Sequence, residues 1–131
     1  MSITLLIADD HPIVRNGLRG AFDGEPDIEV AGEAADGGAA VEQAVRLGVD
    51  VVLMDLRMPG MSGVQAIAAL RKRAPAIRVL VVTTFDSEAD VLPAIEAGAT
   101  GYLLKDAATE ELLRAVDRGA AGADPAVVRT A

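Results

Sequence analysis

Five short runs of β-branched and aliphatic residues, at 3–8, 28–32, 49–54, 79–82 and 101–104, alternate along the chain with five segments of helical period. This alternation predicts an α/β fold with a parallel sheet covered by helices on both faces. The runs are nearly continuously apolar, as strands buried on both faces must be. At 131 residues the chain suits one compact domain, and two would be cramped. Hydrophobic residues make up 51% of it and aromatics only 2%, so the core has to be built from Val, Leu, Ile and Ala. That apolar content excludes a disordered chain.

The helical segments carry their own start and stop signals. In the first, Ile13, Val14, Gly17, Leu18, Ala21 and Phe22 form one apolar stripe, and Pro12 suits the first turn, where a missing N–H costs nothing. The second places Val41, Ala44 and Val45 on one face after a cap at Asp36 and stops at Gly48. The third starts near Ser62, turns Val64 and Ile67 inward and ends before Pro75. The fifth is announced by Thr109 as its cap, with Glu110 and Glu111 in the first turn, followed by Leu112, Leu113 and Val116. The fourth is irregular: the stretch 87–97 reads as helical with Pro93 inside it, so the helix either starts late, near Asp90, or bends. The tail from Gly119 has the composition of a linker or a fraying end.

Charge and composition remove several function classes. Twelve Lys and Arg against 20 Asp and Glu give a net charge of −8, which repels a nucleic-acid backbone. No cysteine means no disulfide and no thiolate site, and one histidine cannot build a multi-histidine metal centre. The first apolar run ends at Asp9 and Asp10 and has no basic region before it, so it reads as a strand and not as a signal peptide. No apolar run approaches the roughly 20 residues that span a bilayer. A soluble cytoplasmic protein is expected.

In open parallel sheets, ligands bind beyond the carboxyl ends of the strands. Asp9 and Asp10 follow the first run, Asp55 the third, Thr83 and Thr84 close the fourth, and Lys105 follows the fifth. Any one such carboxylate is ordinarily a helix cap or a solvated loop residue. Three together repel one another and require a cation or a retained proton. A hard divalent ion with oxygen ligands answers this, and Mg²⁺ suits one or two carboxylates with retained waters.

The motifs Ile-Ala-Asp9-Asp10-His11-Pro12, Val-Leu-Met-Asp55-Leu-Arg-Met-Pro59-Gly60-Met-Ser-Gly63, Val-Val-Thr83-Thr84-Phe and Gly101-Tyr102-Leu-Leu-Lys105 stand in order along the chain. With them the sequence resembles a receiver domain of a two-component response regulator, over about residues 3–119. His11-Pro12, Met58-Pro59 and the stretch from Ala97 to Tyr102 are most similar to the NarL/FixJ subfamily, whose members usually continue into a LuxR-type helix-turn-helix DNA-binding domain. The resemblance implies a doubly wound (βα)5 flavodoxin-like sheet of strand order 2-1-3-4-5. It also implies a receiver domain at 1–119, the start of a linker or tail at 120–131, and an effector domain outside this sequence.

By the same resemblance, Asp55 accepts a phosphoryl group from the phosphohistidine of a sensor kinase. Asp9, Asp10, Asp55 and the backbone carbonyl of Arg57 hold Mg²⁺. Thr83 bonds one phosphoryl oxygen and Lys105 pairs with another, while Thr83 and Tyr102 form the switch. Physical logic agrees, since a carboxylate attacking anionic phosphorus needs its repulsion screened by a cation and an ammonium. Self-phosphorylation and autodephosphorylation are then the only reactions, without turnover of a separate substrate. A homodimer on phosphorylation and a transcriptional output, with DNA bound only through the effector domain, complete the implied behaviour.

Two positions depart from the wider family: Asp106, and not proline, follows Lys105, leaving the isomer of that bond open, and Pro93 interrupts the fourth helix. Of the competing readings, an aspartyl-nucleophile phosphatase usually needs a second acid two residues on, where this chain has Arg57. A nucleotide-binding domain needs a glycine-rich loop where this chain has Asp-Asp-His-Pro. A receiver-like binding module that signals without phosphorylation is the remaining alternative. His11 reads as a cap or packing residue with no catalytic role, and Met54, Met58 and Met61 as fill between strand and helix.

Overall fold

The computed structural model describes residues 2–84, 89–105 and 108–120. The expected alternation is realised as β1 (Ile3–Ala8), α1 (Pro12–Phe22), β2 (Ile28–Ala34), α2 (Gly37–Leu47), β3 (Val51–Met54), α3 (Gly63–Arg73), β4 (Arg78–Thr83), α4 (Val91–Ala97), β5 (Gly101–Leu104) and α5 (Thr109–Ala120). The five strands are parallel and ordered β2-β1-β3-β4-β5. This is the doubly wound, flavodoxin-like arrangement that the sequence implied.

The period of two along a strand divides the core. Leu6, Ala8, Val52, Met54, Val79 and Val81 pack beneath α2, α3 and α4, against Val41, Ala44, Ile67, Leu70 and Ala94. Their neighbours Leu5, Ile7, Val51, Leu53, Leu80 and Val82 meet Phe22 of α1 and Leu112, Ala115 and Val116 of α5. Both layers are mainly aliphatic, and the central strands are apolar along the stretches where both of their faces are buried.

Local chemistry fixes where the helices begin and end. Pro12 opens α1. The Asp36 carboxylate accepts from the Ala39 N–H at 2.8 Å, and Gly48 ends α2 in the left-handed conformation, φ 64°. Ser62 and Gln65 form a reciprocal capping box at the start of α3. Thr109, expected as the cap of α5, is instead its first helical residue, and the preceding Ala108 carbonyl accepts from Leu112 N–H at 3.0 Å.

Several expectations need correction. β2 continues past Gly32 to Ala34 and is not buried on both faces, because it is the edge strand. Glu33 breaks the apolar run but stays in the strand, where Arg15 and Arg19 of α1 pair with its carboxylate at 3.1 and 2.6 Å. β3 begins at Val51; Asp50 before it accepts from the Thr4 N–H and hydroxyl at 2.9 and 3.1 Å. Ile13, assigned to the apolar stripe of α1, is 85% exposed. It lies in the first turn, beyond the edge of the core.

Between the two readings of the fourth helix, the late start holds: Asp90 is its N-cap and α4 begins at Val91. Pro93 then falls in the first turn, where no intrahelical bond is lost. Ser87, the Lys105–Asp106 peptide bond and the tail 121–131 lie outside the described residues.

Candidate functional site

The backbone ladder runs on past the strand ends and gathers one rim. Asp9 N–H donates to Ala34 O at 3.0 Å, Asp55 N–H to Ala8 O at 2.9 Å, and Lys105 N–H to Thr83 O at 2.7 Å. Residues spread over most of the sequence thereby project from one edge of the sheet. Asp9, Asp55 and Thr83 are buried, Asp10 and Lys105 are half-buried, and Thr84 is exposed.

Lys105 Nζ lies 2.8 Å from Asp9 Oδ2 and 3.4 Å from Asp55 Oδ1, so one ammonium bridges two carboxylates. Burial pushes the Asp55 carboxyl above the usual aspartate range, and the neighbouring Asp9 charge adds to the rise; Lys105 opposes it without cancelling it. Burial alone would weaken the Lys105 charge, but its bonds and attraction to Asp9 and Asp55 outweigh this and raise its pKa.

Donor atoms of Asp9, Asp10, His11 and Asp55 all lie within 4.8 Å of one another. Asp9 Oδ2 and Asp10 Oδ1 are sealed from solvent without an aligned hydrogen bond, and the Lys105 ammonium at 2.8 Å and the His11 ring nitrogen at 3.0 Å face them. Buried carboxylate oxygens gathered this closely fit a divalent cation, which would relieve their mutual repulsion. The cluster is therefore compatible with divalent metal binding.

Thr83 is fully buried at the end of β4, and its hydroxyl donates to the Thr84 carbonyl across a long 3.4 Å. Tyr102 is half-buried on β5, opposite Val81, and packs against the core beneath α4. Arg57 follows Asp55 by two residues, and its side chain turns away to Asp90 at 3.3 Å. An open depression of about 590 Å³ beside the acids is lined by Asp10, Leu56, Arg57, Met58, Pro59, Ser62, Val64 and Asp90. Met54 and Met58 are buried fill, as expected, whereas Met61 is 36% exposed.

The structure corrects the reading of His11 as a cap or packing residue and adds Arg15, which the sequence did not single out. His11 is the N-cap residue of α1 but its side chain caps nothing; Nδ1 sits 2.9 Å from Asp9 Oδ1 and 3.0 Å from Asp10 Oδ1. Arg15 donates to the Asp9 carbonyl at 2.6 Å and to Glu33, tying α1 to the rim. Adjacency of His11 to two acids was the available signal, but sequence distance does not say where a ring points.

A doubly wound parallel sheet with acids and a lysine at its carboxyl rim defines the class of the molecule, and comparison with known proteins gives the family. The sequence pattern described as the response regulator receiver domain matches residues 5–117, and the chain belongs to that family. It is 45% identical over 118 residues to the nitrate/nitrite response regulator protein NarP of Escherichia coli K12, covering 90% of this chain and 55% of that protein. It is 43% identical over 123 residues to the transcriptional regulatory protein LiaR of Bacillus subtilis 168, covering 94% and 58%. Among solved structures, the signal receiver domain of the response regulator NarL from Mycobacterium tuberculosis superposes with a TM-score of 0.87 at 40% identity, covering 92% of this chain and 98% of that one. The NarL-type likeness read from the motifs thus stands. The chain spans about half the length of the curated relatives it matches. Among the described residues no helix is long and apolar enough to cross a membrane.

Proposed function

We propose that the chain is a phosphorylatable switch in which Asp55 accepts a phosphoryl group from the phosphohistidine of a sensor histidine kinase. The observation that carries the reading is the placement of Asp55: buried, beside Asp9, and 3.4 Å from the Lys105 ammonium. An Asp55 oxygen attacks phosphorus, the phosphorus–nitrogen bond of the donor breaks, and the imidazole leaves with that electron pair. The products are an acyl phosphate and free histidine.

Asp9, Asp10 and Asp55, with the Arg57 backbone carbonyl, would hold Mg²⁺ as the divalent ion. Bound there, it neutralises charge on the entering phosphoryl group. Lys105 supplies a second positive charge, already held beside Asp9 and Asp55 before the phosphoryl group arrives. Thr83, at the end of β4 beside Lys105, gives a hydroxyl to a phosphoryl oxygen. Movement of Thr83 toward the phosphoryl group would empty space near the β4 end, and Tyr102 on the adjoining strand would turn with it.

The face of α4, β5 and α5 is then the output surface, and Leu92 of α4 stands 65% exposed on it. We assign residues 1–119 to the receiver and 120–131 to the start of a connection toward a DNA-binding effector domain. Homodimerisation on phosphorylation and transcriptional control follow in this scheme, in the cytoplasm, with autodephosphorylation returning the switch to rest.

The test is transfer of radiolabelled phosphate from an autophosphorylated sensor histidine kinase. Label moving to the wild-type chain and not to Asp55→Asn supports the proposal. Equal labelling of both proteins, or label retained on every kinase tried, contradicts it.

A further inference from the structure

We infer that His11 is a further ligand of the divalent-cation site, giving it one nitrogen donor beside its carboxylates. The inference rests on reading Asp9, Asp10 and Asp55 as cation ligands. Nδ1 of His11 is 2.9 Å from Asp9 Oδ1 and 3.0 Å from Asp10 Oδ1. Neighbouring ligands around a six-coordinate ion with bonds of roughly 2.1 Å stand about 3.0 Å apart. The imidazole nitrogen thus keeps a ligand's spacing from both carboxylates at once.

Without a cation, a proton on Nδ1 lets the ring donate to Asp9 Oδ1 while Asp10 Oδ1, sealed from solvent and without an aligned hydrogen bond, faces the same nitrogen; a cation would take the place of that proton between the nitrogen and the carboxylates. Packing does not hold the ring there, because 62% of the His11 side chain is open to solvent. The ring caps no helical N–H. What directs it to the rim is the backbone, since the His11 N–H donates to Asp9 Oδ1 at 2.8 Å. Because the cation would displace the Nδ1 proton, the ligating form is the neutral tautomer with its proton on Nε2.

A nitrogen donor changes which ion is preferred. Mg²⁺ favours oxygen ligands, whereas Mn²⁺, Co²⁺ and Ni²⁺ gain from imidazole. His11 therefore acts as a selectivity residue that admits transition ions to a site otherwise made for magnesium.

The experiment is pulsed EPR of Mn²⁺ added to the whole chain, read for nitrogen hyperfine coupling. Coupling is expected in the wild type and absent in His11→Gln. That variant should also bind Mn²⁺ about tenfold more weakly, with a smaller loss for Mg²⁺. His11 is the single histidine, so isotopic labelling of its ring nitrogens must alter the coupling in the unsubstituted protein. Bound Mn²⁺ without nitrogen coupling, or coupling that survives in His11→Gln, overturns the role of His11 and leaves the carboxylate site standing. Failure of Mn²⁺ and Mg²⁺ alike to bind the wild type overturns the cation site beneath it.

Discussion

Gly63 faces the backbone of Asp55 so closely that a β-carbon on it would stand 2.3 Å from the Asp55 carbonyl oxygen and 2.7 Å from Leu56 Cα. The Gly63 N–H also donates to Leu56 O at 2.9 Å, so the start of α3 is seated directly on the segment that carries Asp55. The absence of a side chain at 63 is what lets the two approach. Gly63→Ala should destabilise the protein by about 1–3 kcal/mol in urea unfolding and slow phosphoryl uptake on Asp55. Gly17→Ala in α1, where nothing lies within 4 Å, should instead gain about 0.5–1 kcal/mol.

Asp55 sets a pH dependence of opposite sign to that of an ordinary paired carboxylate. Burial and the Asp9 charge raise its pKa above 3.8, so between that value and the raised one the folded chain holds a proton that the unfolded chain has released. Stability without divalent ions therefore falls as pH climbs through this window. Asp55→Asn escapes the loss and should melt higher than wild type at pH 7. The advantage should disappear below the ordinary aspartate pKa, where both states of the wild type are protonated. A series of thermal melts in EDTA reads the effect, and an Asn variant that melts lower at every pH would refute it.

Lys105 is the cation that lets Asp9 and Asp55 coexist when no metal is bound. Its raised pKa means that its contribution is complete below the ordinary lysine range and is lost only as pH rises through the raised value. Lys105→Met should cost up to about 3 kcal/mol at neutral pH in EDTA. Mg²⁺ should recover much of that loss, since a second cation then serves the same oxygens. Urea unfolding with and without Mg²⁺ measures both, and equal Mg²⁺ stabilisation of the variant and the wild type would count against a shared site.

Pro93 provides a test of the late helix start. A proline inside a helix costs about 3 kcal/mol, so removing one there stabilises strongly. Because α4 begins at Val91, Pro93 occupies the first turn. Pro93→Ala should thus be neutral or lose about 0.4–1 kcal/mol through greater freedom of the unfolded chain. A gain of more than about 1 kcal/mol in urea unfolding would place the proline in a helix interior.

The legible parts of the molecule were those fixed by local chemistry. Asp36, Gly48 and the Ser62 cap announce their helix ends because capping is settled within a few residues, and the central strands declare themselves because both of their faces are buried. Edge position was not legible: Glu33 looks like the end of a strand until Arg15 and Arg19 arrive from α1 to pair with it. The rim acids were readable because a parallel sheet sends every strand end to the same side. Side-chain direction was not, and so the ring of His11, the turn of Arg57 toward Asp90 and the Arg15 bond to the Asp9 carbonyl emerged only from the three-dimensional arrangement.

The central claim is that folding brings three aspartates together into one cation-dependent phosphoryl acceptor. The most direct measurement is the intact mass of the chain after incubation with acetyl phosphate, in Mg²⁺ and in EDTA. A single phosphoryl group that appears in Mg²⁺, fails to appear in EDTA and is lost in Asp55→Asn is the predicted result. No adduct in Mg²⁺, or an adduct that forms equally in EDTA or on Asp55→Asn, would contradict it.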